Sequence, residues 1–489
     1  MRLAPLSLAV LVACGGAGAS GATSGGSHPT SGSTSGGTTQ SATGAASSTT
    51  GHAGGGTAGS STGRSTSTGT STGRSATGGT ASGSSSSAGT TGASSSAGTT
   101  SGGANSGGTT GASTGAWPPA GNPDGSCTTL TLPSEAQPVD TSHPTTVVGD
   151  GTPASCTFAA LASAVAQGGI ITFSCGPAPV TILVTSTLTP PTTNEYAHQA
   201  PIQIVIDGGD LITLDGGNAV QILNWTHAGS WRVNQDTLTL QHLRLINGKS
   251  TPTDAIPPCG PDGGISNTAC STGYDDGEGG ALYVQDGNVR IIDCTFADNQ
   301  AALLGPDTGG GAIYLYGTGS PAYIAQSTFE DNTASNAGAV GMLWAGAFIF
   351  NSLFEGNSAV GTGANNDDPT QCTCINNGQN EIGSGGNGGA LYKDGGDGVA
   401  LTICGSEIRD NSANEFGAAV FLTADGSNAQ LIIDDSLLTD NPSPISYWNW
   451  CTGVSTDNPH TSGSTTCSPS PINSTFCDTS GNCSSTCSS

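Results

Sequence analysis

Two carboxylates facing one another across a glycosidic bond can hydrolyse it, one as acid and one as base. Asp293, Asp410, Asp434 and Asp435 stand in or beside alternating apolar runs, where a strand could present such a pair. Asp434 and Asp435 are sequence neighbours, so one strand sends them to opposite faces. Elimination from a uronate instead needs a base or cation near the proton α to the carboxylate, usually with calcium. Arg232, Arg244, Lys249, Arg290, Lys393 and Arg409 are the basic residues available for it. Lys393 is the anomaly, because Val284, Leu315, Met342 and Leu422 fill its position elsewhere. A lysine buried there is a potential base. The reading adopted is that the strand stops at Tyr392 and Lys393 turns outward beside Asp394. Lys393, Asp410 and Asp434 are thus the weak catalytic candidates, with no convergent acid–base set among them.

Oxygen ligands for calcium occur in two Gly-, Asn-, Asp- and Pro-rich stretches, 249–278 and 361–387. Asp275, Asp276 and Glu278 stand in the first, Asp367 and Asp368 in the second. Neither has the ligand alternation of a calcium-binding loop, so no cofactor is expected and calcium stays open. Asp207 and Asp215 each precede Gly-Gly and read first as turns.

The element that must position these residues is a repeat. From Gly279 to Asn441 the chain carries five copies of one pattern: small–Gly–Ala–apolar, a short gap, alternating apolar residues, then Ser–x–(Phe/Ile/Leu)–x–x–Asn. The columns include Ala281, Ala312, Ala339, Ala390 and Ala419. Ile291, Ile324, Ile349, Ile403 and Ile433 form another, as do Phe296, Phe329, Phe354, Ile408 and Leu438. Asn299, Asn332, Asn357, Asn411 and Asn441 close the copies at spacings of 33, 25, 54 and 30 residues. Period-2 alternation within a repeat near 30 means stacked strands. No copy can bury its apolar face alone, so the copies stack as coils about 4.8 Å apart. The Asn column then becomes a structural ladder satisfying turn backbone. The expected fold is all-β: a single-stranded right-handed parallel β-helix over 117–441, regular at 279–441.

"GGAI" followed by "FEDN" resembles the repeats of polymorphic outer-membrane proteins, whose solenoid belongs to the pectate-lyase-like group. The resemblance covers 279–441, and more weakly back to Val147. It implies architecture and a cell-surface setting, not an activity. The Gly-His-Gly turn and Arg-Ile-Lys run of the group's hydrolases are absent.

Residues 1–14 read as a signal peptide whose Leu11-Val12-Ala13-Cys14 resembles a lipobox, making Cys14 the lipidation site. The alternative is an ordinary secretory signal with an incidental Cys. Gly after the Cys favours outer-membrane export by that resemblance. Residues 15–116, almost wholly Gly, Ser, Thr and Ala, read as a disordered linker with a reach of roughly 50–60 Å. Every acidic residue lies beyond Trp117, 35 against six basic, so the folded part carries a net charge of −29. That charge repels nucleic acid, anionic lipid surfaces and polyanions such as pectate, and no nucleic-acid partner is expected. Setting Cys14 aside leaves 14 Cys, which in an exported chain suggests disulfides, with Cys156, Cys175, Cys259 and Cys270 as candidates. Zinc is the alternative, but Cys372-Thr-Cys374 lacks its usual spacing.

Phe158, Leu161 and Val165 at helical spacing before Gly168 and Gly169 predict a short N-terminal capping helix. "IITFSC", "VTILVTSTL", "IQIVIDGG", "LITLDGG" and "LTLQHLRLING" predict the first coils. Residues 442–489 read as a Cys-rich cap or tail, in which Trp448 and Trp450 either cover the solenoid end or stack on a sugar.

The function expected is a non-enzymatic lipoprotein of the cell envelope, at the outer membrane or cell surface. It would serve adhesion, matrix contact or a structural role, with the membrane and a surface glycan or protein as partners. The alternative is a secreted polysaccharide lyase or glycoside hydrolase. Cys14→Ser is expected to release the protein from the membrane fraction; a variant that still sediments with membranes would refute the anchor.

Overall fold

The computed structural model describes residues 120–194, 198–227, 229–253, 274, 276–305, 308–362, 385–395, 400–423, 430–444, 449–451, 453–456, 475–477 and 483–484. The signal peptide and Cys14, the linker, Asp275, Asp367, Asp368, Cys259, Cys270 and Trp448 lie outside them. Contacts divide the chain into units 1–103 and 104–489, and every described residue belongs to the second.

The copies stack in parallel. Leu282–Gln285, Ile313–Tyr316, Val340–Leu343, Leu391–Asp394 and Val420–Leu422 lie side by side in one sheet, which Leu223–Thr226 and Val454–Thr456 extend at either side. The second half of each copy lies in a longer sheet that begins at Thr146–Val148 and passes through Gly169–Phe173, Gln203–Asp215 and Thr237–Ile246 before the first copy. Thr333–Ala334, Ser358–Ala359 and Ser412–Ala413 form a third face.

Register follows the sequence columns. Ile291, Ile324, Ile349, Ile403 and Ile433 pair in succession, as do Phe296, Phe329, Phe354, Ile408 and Leu438. All ten are buried in the interior cluster. Phe296, Phe329 and Phe354 stack with ring centroids 5.1 and 4.7 Å apart and nearly parallel planes. Pairing also runs past Asn441, because Thr475–Cys477 lies parallel to Leu437–Thr439. The limit set by the motif therefore falls short of the last coil.

Each rung of the long sheet bends at one residue with left-handed φ, inside a strand at His242 and Asp293 and between two short strands at Gln326, Asn351, Gly405 and Asp435. Asp, Asn and Gly tolerate that region best. A Ser column follows the bend. Ser327, Ser352, Ser406 and Ser436 each donate their hydroxyl to the carbonyl two residues back. The same oxygens accept the backbone N–H of the preceding rung. Cys294 holds this position in the first copy, its thiol directed at the Ile292 carbonyl. Burial pushes that thiol well above the usual range, so it packs as a small apolar group rather than reacting.

The capping helix is Phe158–Gln167, with Thr157 accepting from the Ala160 N–H and Gly168 closing it at positive φ. It packs on Thr146–Val148, the terminal strand of the long sheet. Leu161 and Val165 are buried, and Cys156–Cys175 bonds the approach to the helix to the residues just beyond the strand Gly169–Phe173.

A segment with no periodicity straps the outside of the bend. The Ala120 N–H donates to Asp293, Gly121 to Thr328 Oγ1 and Asn122 to the Asn351 carbonyl. Cys127 is disulfide-bonded to Cys404. The Thr128 and Thr129 N–H groups both donate to Asp435 Oδ2, at 2.6 and 3.0 Å. Returning, Ala136 packs against Ala325 and Phe350, Val139 exchanges two hydrogen bonds with the Gln241 amide, and Thr141 reaches Asp207.

Phe329→Ala is expected to cost about 3–5 kcal/mol because it empties the middle of a ring stack. Phe329→Leu, the residue type at Leu438, should cost less than Phe329→Ala because it leaves a smaller cavity. Thermal unfolding of the two variants checks this, and equal melting temperatures would contradict the stacking.

Candidate functional site

The three catalytic candidates are not brought together. Lys393 lies in the strand Leu391–Asp394, pairs with Met342 and Leu422, and is fully buried. The expectation that it turns outward is therefore wrong. The strand does not stop at Tyr392, and Nζ donates to the Gly395 carbonyl, a partner that a buried ammonium requires. Asp410 is exposed at left-handed φ in the turn before Asn411, a position shared with Asp298, Asp331 and Asp440. Asp434 ends its strand, and its Oδ2 accepts from Thr129 Oγ1 at 3.2 Å. The opposite-face argument for Asp434 and Asp435 also fails. Asp435 is the left-handed bend residue, so strand alternation does not cross it, and both carboxylates face the strap.

Among the calcium candidates, Asp276 Oδ2 accepts the N–H and hydroxyl of Thr253 at 2.7 and 2.6 Å, closing the neck of the first insertion. The Glu278 backbone carbonyl accepts from Gln221. Among the described residues, the one compact group of metal-ligand types is Cys127, Cys404 and Asp435, whose sulfurs are bonded to each other.

The residues that do converge sit at a bulge. In Gln203–Asp215, Asp207 pairs with Gln241 and Ile212 with Leu243, so four residues from Gly208 to Leu211 oppose His242 alone. Asp207 is therefore not a turn between two strands; it precedes a bulge within one strand. Its Oδ1 accepts from His242 Nδ1 and the Gly209 N–H, both at 3.0 Å. Its Oδ2 accepts from Thr141 Oγ1 at 2.6 Å and Gln241 Nε2 at 3.0 Å. Burial pushes the Asp207 carboxyl up, but these bonds outweigh it and hold it at about 2. The bond to Asp207 raises His242, against the opposing effect of burial. Burial raises Asp210 at the bulge tip against the opposing charge of His242, with Asp293 and Asp207 adding to the rise. Ala120, Asp210, His242, Arg244 and Asp293 line a hollow of about 10 Å³, room for about one water. On the other side, Phe173, Cys175, Asp207 and Gly209 border a hollow of about 270 Å³. One carboxyl held ionised near another held up is the arrangement that acid–base chemistry uses.

Sequence reading placed Asp293 among its candidates but missed Asp207, Asp210 and His242 as its neighbours. The available signal was the bend column, in which "HL" at His242–Leu243 aligns with "DC" at Asp293–Cys294.

The two insertions share one base. Gly361 and Gly386, at the neck of the second, both donate their N–H to the Ser335 carbonyl. The Ser335 hydroxyl donates to the Gly305 carbonyl at 2.7 Å, and the Tyr274 N–H, at the root of the first insertion, donates to the adjoining Leu304 carbonyl at 2.9 Å.

Residues 279–459 match the family model of the right-handed β-helix region. Searches of curated proteins and of solved structures gave no match. The matched segment starts at the first copy and includes Val454–Thr456, and with the parallel stacking it makes the fold an all-β right-handed parallel β-helix.

Asp207 and His242 are expected to stabilise each other only while both are charged. With the folded carboxyl held at about 2, Asp207 supplies stability above the unfolded carboxylate pKa and loses it as pH falls through about 2. His242, raised, supplies stability below the unfolded imidazole pKa and loses it as pH rises through its folded value. The stability gap between wild type and Asp207→Asn should therefore be widest near pH 4–6 and narrow above it. Denaturant titrations across pH 3–9 check this, and a gap independent of pH would contradict the charged pair.

Proposed function

We propose that this chain is an exported, surface-tethered β-helix scaffold without catalytic activity, acting in adhesion, matrix contact or envelope structure. Lipidation at Cys14 would anchor it, and residues 15–116 would form the tether. The observation that carries the reading is the shared base of the two insertions. Solenoids bind through loops that leave one side of successive coils. Ser335 and the Leu304–Gly305 backbone bring the necks of both insertions to one place on the stack, so a single ligand could engage both insertions. The coil side chains are committed to stacking, and Asp207, Asp434 and Asp435 accept bonds from the strap. A surface glycan or protein is the ligand class, with polyanions disfavoured by the net charge.

A carbohydrate-active enzyme of the pectate-lyase-like group is the second reading. The hollow at the bulge lined by Asp210, His242 and Asp293, with burial pushing the Asp210 carboxyl up, favours it.

Excising 254–273 or 363–384 should leave the solenoid folded, because loop length adds little to stability, and should abolish binding on a glycan array or to extracellular-matrix proteins. The same preparations, assayed for reducing ends and unsaturated uronates, test the second reading. Turnover by wild type that is lost in Asp210→Asn would overturn the scaffold.

A further inference from the structure

The strap crosses the copies in order. Ala120 meets Asp293 in the first, Gly121 meets Thr328 in the second, and Asn122 meets Asn351 in the third. Cys127 then joins Cys404 in the fourth, across a sequence separation of 277 residues. The bonds before the bridge lie one behind another along the strap, with two at Asn122, so tension on Ala120 meets them one or two at a time. Hydrogen bonds loaded in that way contribute little resistance. The next connection is covalent.

We infer that the Cys127–Cys404 bridge is a tension shunt. A pull arriving through residues 1–119 crosses at Cys127 into the fourth copy and leaves the coils between the two cysteines unloaded. Both insertions lie within that closed ring, and the second ends close in sequence to Cys404. A ligand held there would be linked to the N-terminal segment by the short branch through Gly386 and Cys404. The long branch through the first coils and copies would stay slack. The inference rests on the tethered-scaffold reading for the source of the load alone; the geometry carrying it is independent of any ligand.

The test stretches single molecules of the full chain between handles at its two termini, with no ligand present. In oxidising buffer the wild type should reach a limiting length from which residues 128–403 are missing. Cys127→Ser/Cys404→Ser should lengthen that limit by up to about 900 Å, from the 277 residues less the 19 closed by Cys156–Cys175, at about 3.5 Å each, less any span closed by further bridges within the ring. Wild type in reducing buffer supplies a second arm that does not depend on folding of the variant, and should lengthen by about 1,000 Å. A limiting length unchanged by reduction, or an oxidised wild type that already reaches the longer limit, would overturn the shunt. If these arms succeed while excision of the insertions leaves binding intact, the scaffold reading fails and the shunt stands.

Discussion

Parallel coils placed one above another leave the backbone of every tight turn needing a partner inside a region closed to water. Here a side-chain amide in each turn supplies it. Asn332 Oδ1 accepts both the backbone N–H and the Nδ2 of Asn299, at 3.0 and 2.9 Å, and Asn357, Asn411 and Asn441 do the same for their predecessors. Each Nδ2 also reaches back to a carbonyl of the coil before, as Asn332 does to Phe296. All five amides are buried, where an unmade bond is costly. The ladder fixes the height of each turn, and that height aligns the Ser column and the Phe rings. Slipping one coil by a residue would orphan the amides and turn the apolar columns outward together.

Because the fold repeats, equivalent positions were readable as columns. The interior residues, the Asn turns and the capping helix at Phe158–Gln167 all follow from spacing. The strap had no such signal. Its contacts join residues 66 to 307 positions apart, mostly backbone N–H to side-chain oxygen, and backbone donors look alike in every sequence. The cluster at Asp207 was hidden for a related reason. Asp-Gly-Gly marks a turn and a bulge equally well, and only the register against Gln241 and Leu243 separates them. Lys393 failed differently: a charge in an apolar column was assigned to solvent, whereas the strand continues and keeps it inside.

The acidic surface and the use of carboxylates belong together. A domain with 35 acidic residues must place some against its own backbone, and Asp236 and Asp286 illustrate how. Asp236 accepts from the Thr193 and Ile202 N–H groups and pairs with His227, while Asp286 accepts from Ser230, Val233 and Asn234. These carboxylates pin the long connections between the coils onto the stack. The bulge carboxylates differ in that Asp210 stands at the tip beside a hollow rather than within such a net.

The Asn ladder also has a direction. From Asn299 to Asn411 each Nδ2 donates to the next rung's Oδ1, so the stack has an accepting end and a donating end. At the first rung, Asn299 Oδ1 takes a plain backbone N–H, that of Gly248, and the preceding coil needs no asparagine. At the last rung, Asn441 turns its Nδ2 back to the Ile408 and Thr439 carbonyls. A coil duplicated anywhere inside the array meets complementary faces above and below, so internal duplication is chemically neutral. Growth at the two ends is not equivalent: a coil without the amide can join before the first rung, whereas one added after the last must bring an acceptor of its own to continue the line.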